Sequence, residues 1–87
     1  MTRIEIPPNF KKVMGKKEPA MQGAIAECID RLFNDPTHPG LRVHKMRGQG
    51  GVWEAYIDKG NRLTFERDGD LIRLRNNCNH DMLSRNP

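Results

Sequence analysis

Apolar residues recur along this chain with two different periods, and the switch between them divides it into helical and extended parts. Near the start, Arg3-Ile4-Glu5-Ile6 alternates charged and apolar positions, so Ile4 and Ile6 share one face of a short strand that Pro7-Pro8 ends. Its length suits a sheet edge. Residues 9–17 follow with Phe10, Val13 and Met14 at helical spacing, Asn9 placed to cap and Gly15 to interrupt, which predicts one or two helical turns. The clearest helix opens at Lys17-Glu18-Pro19. There Met21, Ile25, Cys28 or Ile29, and Leu32 recur every three or four residues until Asn34-Asp35-Pro36 stops the pattern. One apolar stripe on an otherwise polar helix is what a helix covering one side of a sheet needs.

After a loop at 37–40 the period falls to two. Residues 41–46, 52–58, 61–67 and 71–76 read as strands. They are joined by the glycine-rich Arg47-Gly48-Gln49-Gly50-Gly51, the Lys59-Gly60 turn and the tight-turn signal Asp68-Gly69-Asp70. The order predicts an α+β fold: an N-terminal strand, one or two helices, then a three- to four-stranded antiparallel sheet with the helices on one face and the other face open. No repeat, heptad or linker interrupts the pattern, so residues 1–87 read as a single domain.

Composition narrows what such a domain can do. With 36% hydrophobic residues and only three Phe, one Tyr and one Trp, the core is modest and a large apolar substrate cavity is not expected. No run approaches the 18 or so apolar residues of a membrane span, so no membrane partner is expected. Cys28 and Cys78 are far apart and follow no secretory leader pattern, which predicts a cytoplasmic protein without a disulfide framework. Lys and Arg number 15 against 11 Asp and Glu, a net charge of +4. The basic residues Arg42, Lys45, Arg47, Arg62, Arg67, Arg73 and Arg75 are spread through the predicted strands and their connections, where an open sheet face could track a phosphate backbone.

Candidate chemistry gathers in the second half. With Val43 inward, His44 and Arg42 face outward, and an imidazole near neutrality can exchange a proton with an RNA 2′-hydroxyl or a leaving 5′-oxygen. An ordinary exposed strand histidine fits the same spacing. The run Asn76-Asn77-Cys78-Asn79-His80-Asp81 concentrates hydrogen-bonding groups after a strand; Asp81 can orient His80, although a local Asx-turn network would have the same composition. His38 lies in a proline-bracketed loop and is expected to be solvated. Trp53 and Tyr56 fall on opposite faces of one strand, and Tyr56 is the one assigned to base stacking. Arg62 follows a turn, and Arg73 and Arg75 share a face by their two-residue spacing. Arginine forks there suit phosphate, with solvated strand-face arginines as the plainer alternative. The Cys and His spacings match no zinc site, and no phosphate-binding glycine loop is present, so neither a metal nor a small-molecule cofactor is expected.

Five segments together resemble a known family. Leu41-Arg42-Val43-His44-Lys45-Met46-Arg47-Gly48, Trp53-Glu54-Ala55-Tyr56-Ile57, Asn61-Arg62-Leu63-Thr64-Phe65, residues 70–74 and Asn79-His80-Asp81-Met82-Leu83 are similar to the RelE/ParE toxin superfamily, nearest its YafQ-like branch. The resemblance implies the toxin of a type II toxin–antitoxin pair, a metal-independent endoribonuclease that cuts mRNA at the ribosome and is covered by a cognate antitoxin. It implies catalytic roles for His80 and His44; the reading of the residues adds Tyr56 and Arg62 to the catalytic set, and RNA or phosphate contacts for Arg42, Lys45, Arg47, Arg73, Arg75 and Asp81. Two positions depart from the branch: Tyr56 stands where another histidine is usual, and Gly60-Asn61 where an Asp-Trp pair is usual. A ParE-like poison of DNA gyrase and a non-catalytic nucleic-acid-binding module are the alternative functions.

Overall fold

In the computed structural model, which describes residues 2–46, 48 and 50–79, the N-terminal alternation forms β1 (Arg3–Glu5) and the two prolines turn the chain into α1 (Pro8–Gly15). The expected Asn9 cap is not used. Pro7 occupies the cap position, no side chain caps the first turn, and Pro8 supplies a first residue whose missing N–H forfeits no helical bond. α2 (Pro19–Asn34) opens on Pro19 in the same way and stops where the pattern predicts. Its stripe of Ile25, Cys28 and Leu32 is buried. Gln22 ties the two helices together: its amide donates to the carbonyls of Met14, Gly15 and Lys17 at 3.3, 3.2 and 3.1 Å, where α1 ends and the chain turns into α2.

The chain then crosses to the far edge of the sheet and walks back. β2 (His44–Lys45), β3 (Trp53–Asp58), β4 (Asn61–Asp68) and β5 (Leu71–Asn79) pair antiparallel in succession, and β5 meets β1 in parallel. The five-stranded sheet, in the order β1-β5-β4-β3-β2, is therefore mixed. Both helices lie on one face, α1 over β5 and α2 over β3. Phe10, Ile25, Cys28, Leu32 and Leu41 close there on Ala55, Leu63, Phe65, Ile72 and Leu74. At the β1 edge Arg3 donates to Asp70 at 2.8 Å, a bond that holds the Asp70 carboxyl below its usual range. Burial pushes the Cys28 thiol up to about 12, and its S–H donates to the Tyr56 carbonyl at 3.5 Å. Among the described residues no helix is long and apolar enough to cross a membrane.

Two strands differ from expectation. Of residues 41–46 only His44 and Lys45 pair; Pro39–Leu41 forms a 3-10 turn and Arg42 adopts a left-handed conformation, φ 47° and ψ 43°. Leu41 is drawn into the core at 1% exposure, so the chain has to turn at Arg42 before it can reach β3. β5 is longer than expected and carries Asn76 and Asn77 within it, so the polar run begins inside the strand. Phe65 pairs with Leu74 and Thr64 with Asn76, which leaves Arg75 as the extra residue of a bulge. The bulge reverses side-chain parity. Ile72 and Leu74 face the core before it and Asn77 after it, fully buried, with its amide donating to the Phe10 carbonyl at 3.2 Å. The Asn77 side-chain oxygen has no hydrogen-bond partner among the described residues.

Candidate functional site

Because Trp53, Ala55 and Ile57 turn toward the core, the two-residue period places Glu54 and Tyr56 on the face away from the helices. Strand register then does the assembling. His44 stands opposite Glu54, Glu54 opposite Thr64 and Thr64 opposite Asn76, a row across four strands, while Tyr56 stands opposite Arg62. The Thr64 hydroxyl, buried, accepts the Asn76 backbone N–H at 3.2 Å and fixes the row beside the bulge.

Glu54 is the centre of this face and only 3% exposed. Its Oε1 lies 3.4 Å from His44 Nε2 and 3.6 Å from Arg62 Nε. A carboxylate withdrawn from water loses several kcal/mol of hydration, which the Arg62 guanidinium at this distance offsets in part. His44 is oriented from both sides. A carbonyl can only accept, so the 2.7 Å contact between Nδ1 and the Arg42 carbonyl puts a proton on Nδ1 and turns Nε2 toward Glu54. The left-handed backbone at Arg42 that presents this carbonyl costs about 1–2 kcal/mol in a residue other than glycine.

Arg62 is held more firmly still. Its Nη1 donates to the carbonyls of Asp58 at 2.6 Å and Asn61 at 2.9 Å across the β3–β4 turn. Its guanidinium carbon lies 4.6 Å from the centre of the Tyr56 ring, and that of Arg42 lies 4.7 Å from it. Tyr56 thus engages two guanidiniums through its π-face. The cluster combines an oriented imidazole, two fixed guanidiniums and a buried carboxylate, the group types that move protons and stabilise charge at a phosphate.

The structure brings together Arg42, His44, Tyr56 and Arg62, four of the candidates named from sequence, although Arg42 arrives from a turn rather than from the strand. Lys45 is turned away, with its ammonium 5.8 Å from the Trp53 ring centre. Arg73 and Arg75 pair with carboxylates, Glu5 at 3.3 Å and Glu66 at 3.0 Å. Arg47, His80 and Asp81 lie outside the described residues. Glu54 has no role assigned from sequence. Its signal was its parity with Tyr56 between two core-facing residues, which acquires meaning only once the register with His44 and Arg62 is known.

No family model matches this sequence, and no curated protein matches it. Solved structures do. YafQ from E. coli strain BL21(DE3) superposes with a TM-score of 0.77 at 16% identity, over 95% of this chain and 98% of its own. The toxin–antitoxin complex RelBE2 from Mycobacterium tuberculosis contains a chain matching at 0.75 and 14%, over 91% of this chain and 98% of that one. The archaeal RelE–RelB complex from Pyrococcus horikoshii OT3 contains one at 0.71 and 18%, over 90% and 93%. At these identities the likeness is one of fold.

Proposed function

From the fold it shares with YafQ and RelE, we propose that this chain is the toxin of a type II toxin–antitoxin pair. It acts in the cytoplasm as an endoribonuclease on ribosome-bound mRNA and is restrained by a cognate antitoxin protein. The observation that carries the reading is the grouping of His44, Glu54 and Arg62 on the sheet face opposite the helices. In RNA cleavage of this kind a 2′-hydroxyl attacks the adjacent phosphorus, the 5′-oxygen leaves, and one proton is taken up as another is supplied. His44 exchanges one of these protons through Nε2, and His80 is its counterpart, with Asp81 orienting it. Arg62 and Arg42 face the charge that builds on the phosphate, and Tyr56 keeps both guanidiniums in place. Lys45, Arg47, Arg73 and Arg75 supply weaker contacts to the RNA backbone.

Inducible expression in bacteria tests this, with wild type beside His44→Ala and His80→Ala, growth followed and 5′ ends of ribosome-bound mRNA mapped. Growth arrest with new cuts that either substitution abolishes is the expected outcome. Arrest without cuts would assign a different target, such as gyrase. Normal growth, together with salt-dependent RNA binding in vitro, would replace the nuclease with a binding module.

A further inference from the structure

A cavity of about 340 Å³ lies beyond the open face, between the loop that precedes β2 and the ends of β3 and β4. Trp53, the only tryptophan of the chain, lines it together with His38, Arg42 and Arg67, and Pro36 and Pro39 bracket the loop side. The indole packs against the core on one side and is flanked by cations on the other, Arg67 at 5.0 Å and Lys45 at 5.8 Å from the ring centre. The His38 Nδ1 accepts the Gly40 N–H at 2.9 Å, so in the neutral ring the proton sits on Nε2 and the imidazole adds a donor. None of the eight lining residues is acidic. Arg42 belongs to this cavity and also to the Tyr56 cluster, so the two are contiguous.

From this arrangement we infer that the cavity binds one nucleotide of a single-stranded RNA, with its base against the Trp53–Arg67 plane and its phosphate beside Arg67 and Lys45. The inference rests on the reading that the open face takes RNA, and it adds a second contact that anchors the strand away from the scissile bond. A cavity for an acidic peptide would need the cations alone. Here the cations surround a large π-surface, and stacking on such a surface is worth about 1–3 kcal/mol per base whatever its sequence. The volume falls within the 300–1,000 Å³ or so that accommodates small ligands.

Trp53 reports on its own site. The probe is a 2′-O-methyl uridine hexamer, which lacks the nucleophile and cannot be cut. Tryptophan emission is followed with the unlabelled oligomer and anisotropy with a fluorescein-labelled copy. The expected result is a saturable change in emission at the same midpoint as the anisotropy. For Arg67→Gln, with its circular dichroism unchanged, binding is expected to be several-fold weaker and its log–log salt slope shallower by about 0.7, the value of one single-strand phosphate contact. Anisotropy that rises while Trp53 stays silent would overturn the cavity assignment and leave the nuclease reading standing. Neither signal changing would also overturn it, with the nuclease reading then decided by the expression experiment. A hexaglutamate peptide that saturates the emission change where the oligomer does not would make the cavity an acidic-peptide site. An Arg67→Gln protein with unaltered affinity and slope would overturn the assignment as well.

Discussion

Replacing Glu54 with Gln keeps the size of the side chain and removes only its charge, which isolates what the buried carboxylate contributes. His44 at 3.4 Å and Arg62 at 3.6 Å are among the groups that lose an anion. Removing one member of a fully buried pair costs about 3–5 kcal/mol. The cost here is smaller, because the His44 side chain is 57% exposed and can be rehydrated, and because Arg62 keeps its backbone acceptors. A loss of about 1–2 kcal/mol follows, and for a domain of this size that lowers the melting temperature by roughly 5–15 °C. Activity is expected to fall further than stability. Without the carboxylate, His44 Nε2 and the Arg62 guanidinium lose their common reference point, and a misplacement of about 1 Å costs around 100-fold in rate. Thermal unfolding by circular dichroism and initial rates of RNA cleavage, measured well below the melting range, read the two effects separately. A Glu54→Gln protein that melts within about 2 °C of wild type and cuts at the wild-type rate would refute this account of the site.

Three further outcomes are expected. His80→Ala lowers cleavage by at least about 100-fold, the usual contribution of a positioned proton-transfer group, with melting unchanged; wild-type rates would remove His80 from the mechanism. Asn77→Ala removes the bond by which β5 holds the Phe10 carbonyl and costs about 0.5–1.5 kcal/mol, and an unchanged melting temperature would mean that α1 is anchored by other contacts. The third concerns alkaline pH: unfolded Cys28 ionises near its ordinary 9.0, whereas the folded thiol stays protonated up to about 12. Between these values the unfolded state binds fewer protons, so the contribution is fully present below pH 9 and stability then declines by at most about 1.4 kcal/mol per pH unit. Cys28→Ala should flatten that decline in urea titrations at stepped pH, and an identical slope in both proteins would contradict the assignment.

The parts of the fold that were legible in the sequence are those fixed by local spacing. The Ile25, Cys28 and Leu32 stripe can be satisfied only by a helix lying on a sheet, and Lys59-Gly60 and Gly69-Asp70 admit little but hairpin turns. What was missed depends on partners distant in the chain. Leu41 and Val43 alternate as a strand would, yet Leu41 reaches the core from a 3-10 turn, and nothing local separates the two cases. The bulge at Arg75 is silent for a similar reason. Arg73 and Arg75 are both charged, so the alternation runs unbroken through the point where parity reverses, and only the buried Asn77 betrays it. The parallel pairing of β1 with β5 joins Ile4 to Ile72 and leaves no signature in either segment.

The site divides along the same line. His44, Tyr56 and Arg62 stand out by residue type and parity alone, whereas Glu54 reads as a solvated strand carboxylate until the register closes over it. That burial gives the strongest physical reason, independent of fold likeness, to place function on this face. A sheet surface selected only for solubility would keep Glu54 in water and put glycine or asparagine at a left-handed turn. This one withdraws the carboxylate and holds Arg42 at φ 47°, two features that each cost stability. Both costs act on one imidazole: the Arg42 carbonyl fixes Nδ1 and the Glu54 carboxylate faces Nε2. Two unfavourable features converging on the orientation of a single titratable ring are what proton transfer requires. Arg42→Gly tests whether they are coupled to function, since it relieves the backbone and removes the guanidinium from Tyr56. Stability held or raised by up to about 1 kcal/mol, with cleavage reduced, is the expected pairing. Lower stability with unchanged cleavage would show that the left-handed turn serves the fold alone.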